Sequence, residues 1–275
     1  MIRERFPTKM TLAVGDGAND VAMILKAHVG VGIAGREGMQ AARSSDYAIG
    51  KFKFLRPLLF IHGREAYRKI SFLVCYNFYK NVLYVIVQYY FGFYSVFSGQ
   101  PLYEAWVYQL YNICFTGAVC FYWGVMDFQF ERYRFLDEPK LYSVGIRKEL
   151  FGTRVFWSWI AYALVQAVLL LFVGVVFTQE SPSQTGKTYT FWAGGHMVYF
   201  ECILIANLVL LRQTSNYTGW GEIVLLMQVT SFFWIVYLDS IFLPQGVIAF
   251  FFDEFWSSWT AWLGCLFVAS LIYLE

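Results

Sequence analysis

Long apolar stretches, separated by short polar segments, make up most of the chain after residue 70. Three of them contain no Asp, Glu, Lys or Arg: Ala105–Met126, Val155–Gln179 and Phe255–Leu274. Three more contain one charged residue each: Lys80, Glu201 or Asp239. Because about 20 apolar residues cross the hydrocarbon core of a bilayer, the pattern predicts six membrane-spanning helices. The predicted spans cover about 72–96, 103–126, 155–178, 190–211, 222–243 and 255–275.

The first 55 residues have a different pattern, that of an α/β domain. Short apolar, β-branched runs predict strands at Thr11–Val14, Val29–Ile33 and near Tyr47–Ile49. Helices are predicted between them at Ala18–Ala27 and near Gly38–Arg43. Strands alternating with single helices indicate right-handed βαβ units in a parallel sheet. Three strands and two helices are too few to bury both faces of a sheet, so we expect more of this domain upstream.

The interleaved charged and apolar positions of residues 56–71 predict an amphipathic helix that continues without a breaker into the first span. Pro57 suits the first turn of such a helix, where no amide hydrogen is needed. A continuous helix of about 40 residues would be about 60 Å long, enough to cross a bilayer and protrude from it as a stalk. The sequence therefore predicts a direct mechanical link between the α/β domain and the membrane.

Composition and charge support a membrane protein and set its orientation. The chain is 58% hydrophobic and only 15% charged, whereas about a quarter of the residues in soluble domains are charged. The loop Asp127–Arg154 contains six basic residues, and residues 1–71 contain 12 of the 21 Lys and Arg. The positive side is expected to be cytoplasmic, so residues 1–71 are predicted to lie in the cytoplasm. The basic residues are scattered, which argues against a nucleic-acid interface.

The acidic turn Gly15–Asp20, which reads GDGAND, is the first candidate for chemistry. Its two glycines allow the backbone to bend sharply and to lie close to a ligand. Asp16 and Asp20 follow a predicted strand, and two carboxylates at such a turn suit Mg²⁺, which keeps most of its waters and takes few protein ligands. An ordinary surface turn is the alternative, since Gly, Asp and Asn dominate turns in general.

Neighbouring motifs favour the magnesium interpretation. Thr11–Val21 reads TLAVGDGANDV and resembles the end of the phosphorylation domain of P-type ATPases. Downstream, residues 27–33 read AHVGVGI, residues 37–42 read EGMQAA and residues 44–48 read SSDYA. These runs resemble the type IV branch, the phospholipid flippases, whereas cation pumps usually carry Val-Asn-Asp-Ala in the turn. The resemblance extends through the membrane part and covers essentially the whole chain.

The resemblance implies a fold, an activity and cofactors. Residues 1–55 would be the C-terminal part of a HAD-like phosphorylation domain, with Asp16 and Asp20 binding magnesium and Asn19 and Asp20 contacting ATP. The full-length protein would move phospholipid toward the cytoplasmic leaflet through an aspartyl-phosphate cycle, in the plasma membrane or in Golgi or endosomal membranes. The phosphorylated aspartate, in an Asp-Lys-Thr-Gly-Thr motif, is not in this sequence. The chain alone is therefore expected to be inactive.

Lys80 and Asn112 are the candidate substrate-path residues. A cation inside a membrane helix is costly and is expected to face the bundle interior or a wet cavity, although a lysine can also extend toward the interface. By resemblance, Lys80 matches a lysine tied to phospholipid transport. Lys80 could pair with backbone carbonyls, with Asn112 or with a lipid headgroup. By the same resemblance, Asn112 matches an asparagine of the family, whose amide could offer a polar contact to the lipid headgroup. Alternatively, Asn112 forms a hydrogen bond between two helices. The family usually has a proline three residues after Thr116, and this chain has Val119 instead.

Two other functions remain open at this stage. A cation pump of the same superfamily would need several carboxylates inside the membrane, and the spans offer only Glu201 and Asp239. A non-catalytic membrane module that binds lipid or an accessory subunit is the other alternative. The sequence assigns no role to Glu201 or Asp239.

Overall fold

The structure is a computed structural model that describes residues 2–35, 39–177, 190–242 and 258–271. Glu37 and Gly38 of the second motif, and parts of the predicted third, fifth and sixth spans, lie outside these ranges. The chain divides into two units: Met1–Tyr67 with Phe130–Arg147, and Arg68–Gln129 with Lys148–Glu275.

The first unit contains a three-stranded parallel sheet. Its strands are β1 (Leu12–Gly15), β2 (Val29–Ile33) and β3 (Tyr47–Ile49), in the order β1-β2-β3. The helices before and between the strands are α1 (Ile2–Arg5), α2 (Val21–Lys26) and α3 (Gln40–Ser44). The predicted bounds of β2 and β3 match the observed ones, and the predicted helix at Ala18–Ala27 begins as a 3-10 turn, Ala18–Asp20.

Two glycines in β2 let the helices approach the sheet closely. A Cβ atom on Gly30 would lie 2.5 Å from Ile24 Cγ2, and one on Gly32 would lie 2.6 Å from the Ala41 carbonyl oxygen. Ile24, on α2, and Ala41, on α3, are buried together with Ala13 of β1 in the small core of this unit. The alternation of valine and glycine in β2 thus reflects helix–sheet packing as well as strand propensity.

One long helix, Phe52–Tyr94, has 43 residues. It comprises a 3-10 turn (Phe52–Phe54), α4 (Leu55–Pro57), a π-helical segment (Leu58–Gly63) and α5 (Arg64–Tyr94). The sequence predicts a helix over 56–96, so the observed element begins four residues earlier and ends two earlier.

The first unit also includes two short helices from the basic loop, α8 (Arg132–Asp137) and α9 (Ser143–Ile146). Arg64 holds this loop in place. Its guanidinium lies 4.8 Å from the centre of the Phe135 ring, and its Nε donates a 3.3 Å hydrogen bond to the Leu141 carbonyl. The arginine therefore combines a cation–π contact with a backbone hydrogen bond.

The second unit is a helical bundle. After α5 its helices are α6 (Ala105–Leu110), α7 (Gly117–Met126), α10 (Thr153–Leu171), α11 (Phe191–Gln213), α12 (Gly219–Phe242) and α13 (Trp259–Leu271). Four helices of the described chain are long and apolar enough to cross a membrane: Phe52–Tyr94, Thr153–Gly174, Phe191–Gln213 and Gly219–Phe242. The predicted second span is divided into α6 and α7, and the predicted sixth is described only over α13.

Helix α11 lies at the centre of the bundle. Sixteen of its residues are buried, and Val198, Cys202 and Ile205 belong to the main hydrophobic core. This helix has almost no polar face, which is typical of a helix surrounded by others rather than one that faces solvent.

Candidate functional site

The acidic turn is held together by Asp20. Its Oδ2 accepts hydrogen bonds from the backbone N–H groups of Asp16, at 3.1 Å, and of Gly17, at 3.4 Å. A Cβ atom on Gly15 would lie 2.3 Å from Asp20 Cβ, so the last residue of β1 has to be glycine for the aspartate to fold back over the strand end. Asp20 thus stabilises the turn as an Asx-type cap.

Asp16 and Asn19 are both exposed at this turn, whereas Asp20 is half-buried. One carboxylate is therefore engaged with the backbone and the other is open to solvent. Within the described ranges no group of three or more His, Cys, Asp or Glu residues could hold a metal ion. Two carboxylates in one turn remain suitable for Mg²⁺, because this ion is usually held by one or two carboxylates together with water and phosphate oxygens.

A second candidate site lies in the bundle, where the predicted second span is broken. Helix α6 passes into a π-helical segment, Tyr111–Phe115, and α7 starts only after Thr116, whose backbone is non-helical (φ −138°, ψ −4°). Lys80 on α5 lies opposite this break, and its Nζ donates a 2.9 Å hydrogen bond to Thr116 Oγ1. Lys80 is 4% exposed and Thr116 is fully buried.

Side chains from two other helices satisfy the backbone groups freed at the break. Asn207 Nδ2, on α11, donates to the Phe115 carbonyl at 2.9 Å. Gln228 Oε1, on α12, accepts from the Val119 N–H at 2.6 Å. Thr116 Oγ1 donates to the Tyr111 carbonyl at 2.8 Å. A broken helix is tolerated at membrane depth when neighbouring side chains replace its lost hydrogen bonds in this way.

Among the described residues, Asn112 is not hydrogen-bonded to Lys80. Its Nδ2 donates a 3.1 Å hydrogen bond to Asn81 Oδ1, and the pair is exposed. Of the partners considered for Lys80 in the sequence, neither Asn112 nor a backbone carbonyl is its partner here; the hydroxyl of Thr116 is. Sequence reasoning missed Thr116 and Gln228 as members of this site, although both are polar residues in apolar stretches. It also left Asn207 without a role.

The break forms although Val119 stands where the family usually has proline. The first N–H groups of a helix lack an intrahelical acceptor, and here Gln228 supplies one to Val119. A Cβ atom on Gly117, the first residue of α7, would lie 2.7 Å from the Asn112 carbonyl oxygen. The break in the helix, which a proline would otherwise cause, is thus produced here by side-chain hydrogen bonds and a glycine.

Glu201 is fully buried on α11. Neither of its carboxylate oxygens has a hydrogen-bond partner among the residues that the structure describes. A Cβ atom on Gly174 or on Gly264 would lie 3.2 or 3.3 Å from one of these oxygens, so two glycines leave room for the side chain. Among the residues that the structure describes, Glu201 therefore has no ion-pair partner, and Asp239 on α12 is only half-buried.

Comparison with known proteins identifies a family. Residues 42–275 match the family model described as Phospholipid-translocating P-type ATPase C-terminal. The chain is 38% identical over 239 residues to Phospholipid-transporting ATPase DRS2 of Saccharomyces cerevisiae, covering 85% of this chain and 17% of that protein. It is 35% identical over 274 residues to human Phospholipid-transporting ATPase IG, covering 97% of this chain and 24% of that protein.

The chain thus spans between a sixth and a quarter of the length of these relatives. Its four membrane-length helices agree with the family match and make it an integral membrane protein. By the match over 42–275 and by the identities to named relatives, the chain belongs to the type IV phospholipid-transporting P-type ATPases.

Proposed function

We propose that this chain is the C-terminal part of an ATP-driven phospholipid translocase and that the broken helix opposite Lys80 belongs to the lipid path. The observation that carries the proposal is the buried Lys80–Thr116 hydrogen bond at a break in a membrane-embedded helix. Family membership supports the substrate class, since the matched relatives are named phospholipid-transporting ATPases.

The chemistry of the break suits a phospholipid headgroup. An ammonium group inside a bilayer costs at least ~2.5 kcal/mol unless it is compensated. Within the described residues Lys80 Nζ donates to a neutral hydroxyl and lies 5.7 Å from the centre of the Tyr76 ring, so its partners are uncharged and the cation lacks a counter-charge at this place. A lipid phosphate is a strong acceptor for such a cation. The exposed Asn81–Asn112 pair on the same two helices adds amide donors and acceptors for the polar part of the lipid.

We propose separately that the acidic turn holds magnesium and nucleotide. Asp16 and Asp20 would bind Mg²⁺, and Asn19 and Asp20 would contact ATP. When bound, Mg²⁺ would offset the charge that builds up on the phosphoryl oxygens during transfer to an aspartate and its later hydrolysis. Asp20 would fix the turn through the N–H groups of Asp16 and Gly17, which leaves the exposed Asp16 free to reach the ion.

The phosphorylated aspartate of the proposed cycle would come from the remainder of a longer protein, so the chain alone would not hydrolyse ATP. The sequence predicts that the strain of phosphorylation is passed to the membrane bundle along the helix that contains Lys80.

The experiment uses the full-length protein that contains this chain, reconstituted in liposomes with a fluorescent phospholipid. Lys80→Met should lower ATP-dependent lipid transport at least tenfold, and Mg²⁺-dependent phosphorylation should persist. Lys69→Met, which removes a cation from the same helix outside the site, is the matched control and should retain transport. Asp16→Asn should weaken the Mg²⁺ dependence of phosphorylation.

Normal lipid transport by Lys80→Met would refute the lipid-path assignment. Transport of a cation without any stimulation by lipid would instead favour a cation pump. Unchanged Mg²⁺ dependence in Asp16→Asn would refute the magnesium assignment on its own, because the two sites are tested by different measurements.

A further inference from the structure

Two buried amide side chains meet the broken helix from two different helices. Asn207, on α11, is 1% exposed and Gln228, on α12, is 3% exposed. Each makes one hydrogen bond to the backbone of the broken segment: Asn207 to the Phe115 carbonyl and Gln228 to the Val119 N–H. We propose that Asn207 and Gln228 are positioning residues, which hold the break open so that Thr116 faces Lys80. This inference rests on the proposed lipid path.

The two contacts bracket Thr116 along the chain. Phe115 precedes it and Val119 follows three residues later, so one amide satisfies the carbonyl at the end of the first helical piece and the other satisfies an N–H in the first turn of α7. In a continuous helix, the Val119 N–H would donate to the Phe115 carbonyl four residues earlier. Here each of these groups is bonded to a side chain instead. The two amides thus compete directly with the hydrogen bond that would close the break.

The Lys80 contact depends on that open geometry. Thr116 Oγ1 donates to the Tyr111 carbonyl and accepts from Lys80 Nζ, and Tyr111 in turn donates from its hydroxyl to the Lys80 carbonyl at 3.3 Å. A return of Thr116 to helical geometry would rotate its side chain and break this set of contacts. The positions of Asn207 and Gln228 therefore determine where the lysine cation is held.

Spare hydrogen-bonding atoms on the two amides support a role at the break. Asn207 Oδ1 and Gln228 Nε2 are buried and have no partner in the described part of the chain. An unpaired buried polar atom destabilises the folded state, and an apolar residue of similar size would avoid this cost. Packing alone would therefore favour apolar residues at positions 207 and 228. The amides are explained by their hydrogen bonds to the Phe115 carbonyl and the Val119 N–H.

The test is a pair of variants in the full-length protein. Gln228→Met removes the acceptor and leaves the Val119 N–H unpaired, so lipid transport should fall at least tenfold while phosphorylation from ATP is retained. Val119→Pro removes that N–H, and proline is accepted in the first turn of a helix. The double variant lacks both the Val119 N–H and its acceptor, so transport should return to within threefold of the unmodified protein.

Gln166→Met is the matched control. Gln166 is also a buried glutamine, but its side chain bonds the Tyr79 hydroxyl and not the broken helix. Any defect of this variant should not be relieved by Val119→Pro. If Gln228→Met acted only by loosening the packing, Val119→Pro would not restore transport selectively in that variant. Recovery of transport in Gln228→Met but not in Gln166→Met therefore indicates a positioning role rather than a general effect on stability.

Three results would overturn the inference: normal transport in Gln228→Met, a loss that Val119→Pro does not relieve, or equal relief of Gln166→Met. Asn207→Leu, which leaves the Phe115 carbonyl unpaired, gives a second arm if the proline variants do not fold. It should raise the KM for lipid and reduce transport, and normal values would also overturn the inference. The Lys80→Met result is independent, so failure here leaves the lipid-path proposal standing.

Discussion

Arg68 and Asp127 form a buried ion pair in the bundle, with Arg68 Nη2 2.8 Å from Asp127 Oδ2. The other carboxylate oxygen accepts the backbone N–H groups of Ser215, at 2.8 Å, and Asn216, at 2.9 Å. One carboxylate therefore joins three parts of the second unit: α5, the end of α7 and the loop between α11 and α12. The guanidinium also lies 5.3 Å from the centre of the Trp123 ring.

We expect Asp127→Ala to destabilise the protein strongly. Removing one partner of a buried ion pair leaves an uncompensated charge and costs ~3–5 kcal/mol. Here it also leaves two N–H groups without their acceptor. Thermal unfolding of the purified full-length protein in detergent measures the effect. Glu222→Ala, which removes an exposed carboxylate from the start of α12, is the control and should change stability by less than ~1 kcal/mol.

A double variant of Arg68 and Asp127 separates the effect of an unpaired charge from the effect of lost side-chain volume. Arg68→Met with Asp127→Leu removes both charges and keeps most of the volume, so it should be more stable than Asp127→Ala alone. If Asp127→Ala unfolds at the same temperature as Glu222→Ala, the ion pair does not stabilise the bundle.

A second prediction concerns the acidic turn and the glycine that precedes it. Gly15→Ala would place a Cβ atom 2.3 Å from Asp20 Cβ, which has to move and thereby lose its hydrogen bonds to Asp16 and Gly17. We expect Mg²⁺-dependent phosphorylation of the full-length protein to fall at least tenfold, since a misplacement of about 1 Å can cost ~100-fold in rate. The measurement is phosphoenzyme formation against Mg²⁺ concentration.

Gly50→Ala is the control for this prediction. No atom lies within 4 Å of a Cβ added to Gly50, which follows β3 in the same unit, so phosphorylation should be unchanged. Equal activity of Gly15→Ala and Gly50→Ala would mean that the position of Asp20 has no influence on the chemistry.

The sequence predicts the local features of the fold well. β2 and β3 are found at the predicted residues because each is a short apolar run that begins directly after a polar residue, His28 or Asp46. Phe52–Tyr94 is helical as predicted, but it starts before Pro57, so the proline lies inside the helix rather than in its first turn and is followed by the π-helical segment Leu58–Gly63. The run Thr11–Val21 predicts a P-type ATPase, and the runs at 27–33, 37–42 and 44–48 predict the type IV branch, which the family match over residues 42–275 confirms.

The break at Thr116 and the partner of Lys80 could not be predicted in this way. Residues 105–126 carry no charge, and neither Thr116 nor Gly117 by itself indicates a break in the sequence. Its causes are Asn207 and Gln228, which follow Phe115 and Val119 by 92 and 109 positions in the chain. Periodicity describes one element at a time, whereas these contacts depend on which helices become neighbours. The same applies to Asp127 and the N–H groups of Ser215 and Asn216.

Gly195 of α11 lies close to the segment that precedes α6. A Cβ atom on Gly195 would lie 2.3 Å from the Leu102 carbonyl oxygen, and small residues allow this kind of close approach between membrane segments. The Leu102 N–H is bonded to Gln88 Oε1 at 2.9 Å, so this backbone is anchored to α5 and cannot move away freely. Gly195→Ala should therefore reduce stability by ~1–3 kcal/mol, the usual cost of overpacking.

Gly219→Ala supplies the comparison, because Gly219 begins α12 with no atom within 4 Å of an added Cβ. Alanine is the better helix former by up to ~1 kcal/mol, so this variant should be as stable as the parent protein or slightly more so. Thermal unfolding of both variants in the same detergent decides the question. If Gly195→Ala is no less stable than Gly219→Ala, the close approach of α11 to Leu102 is not a constraint on the bundle.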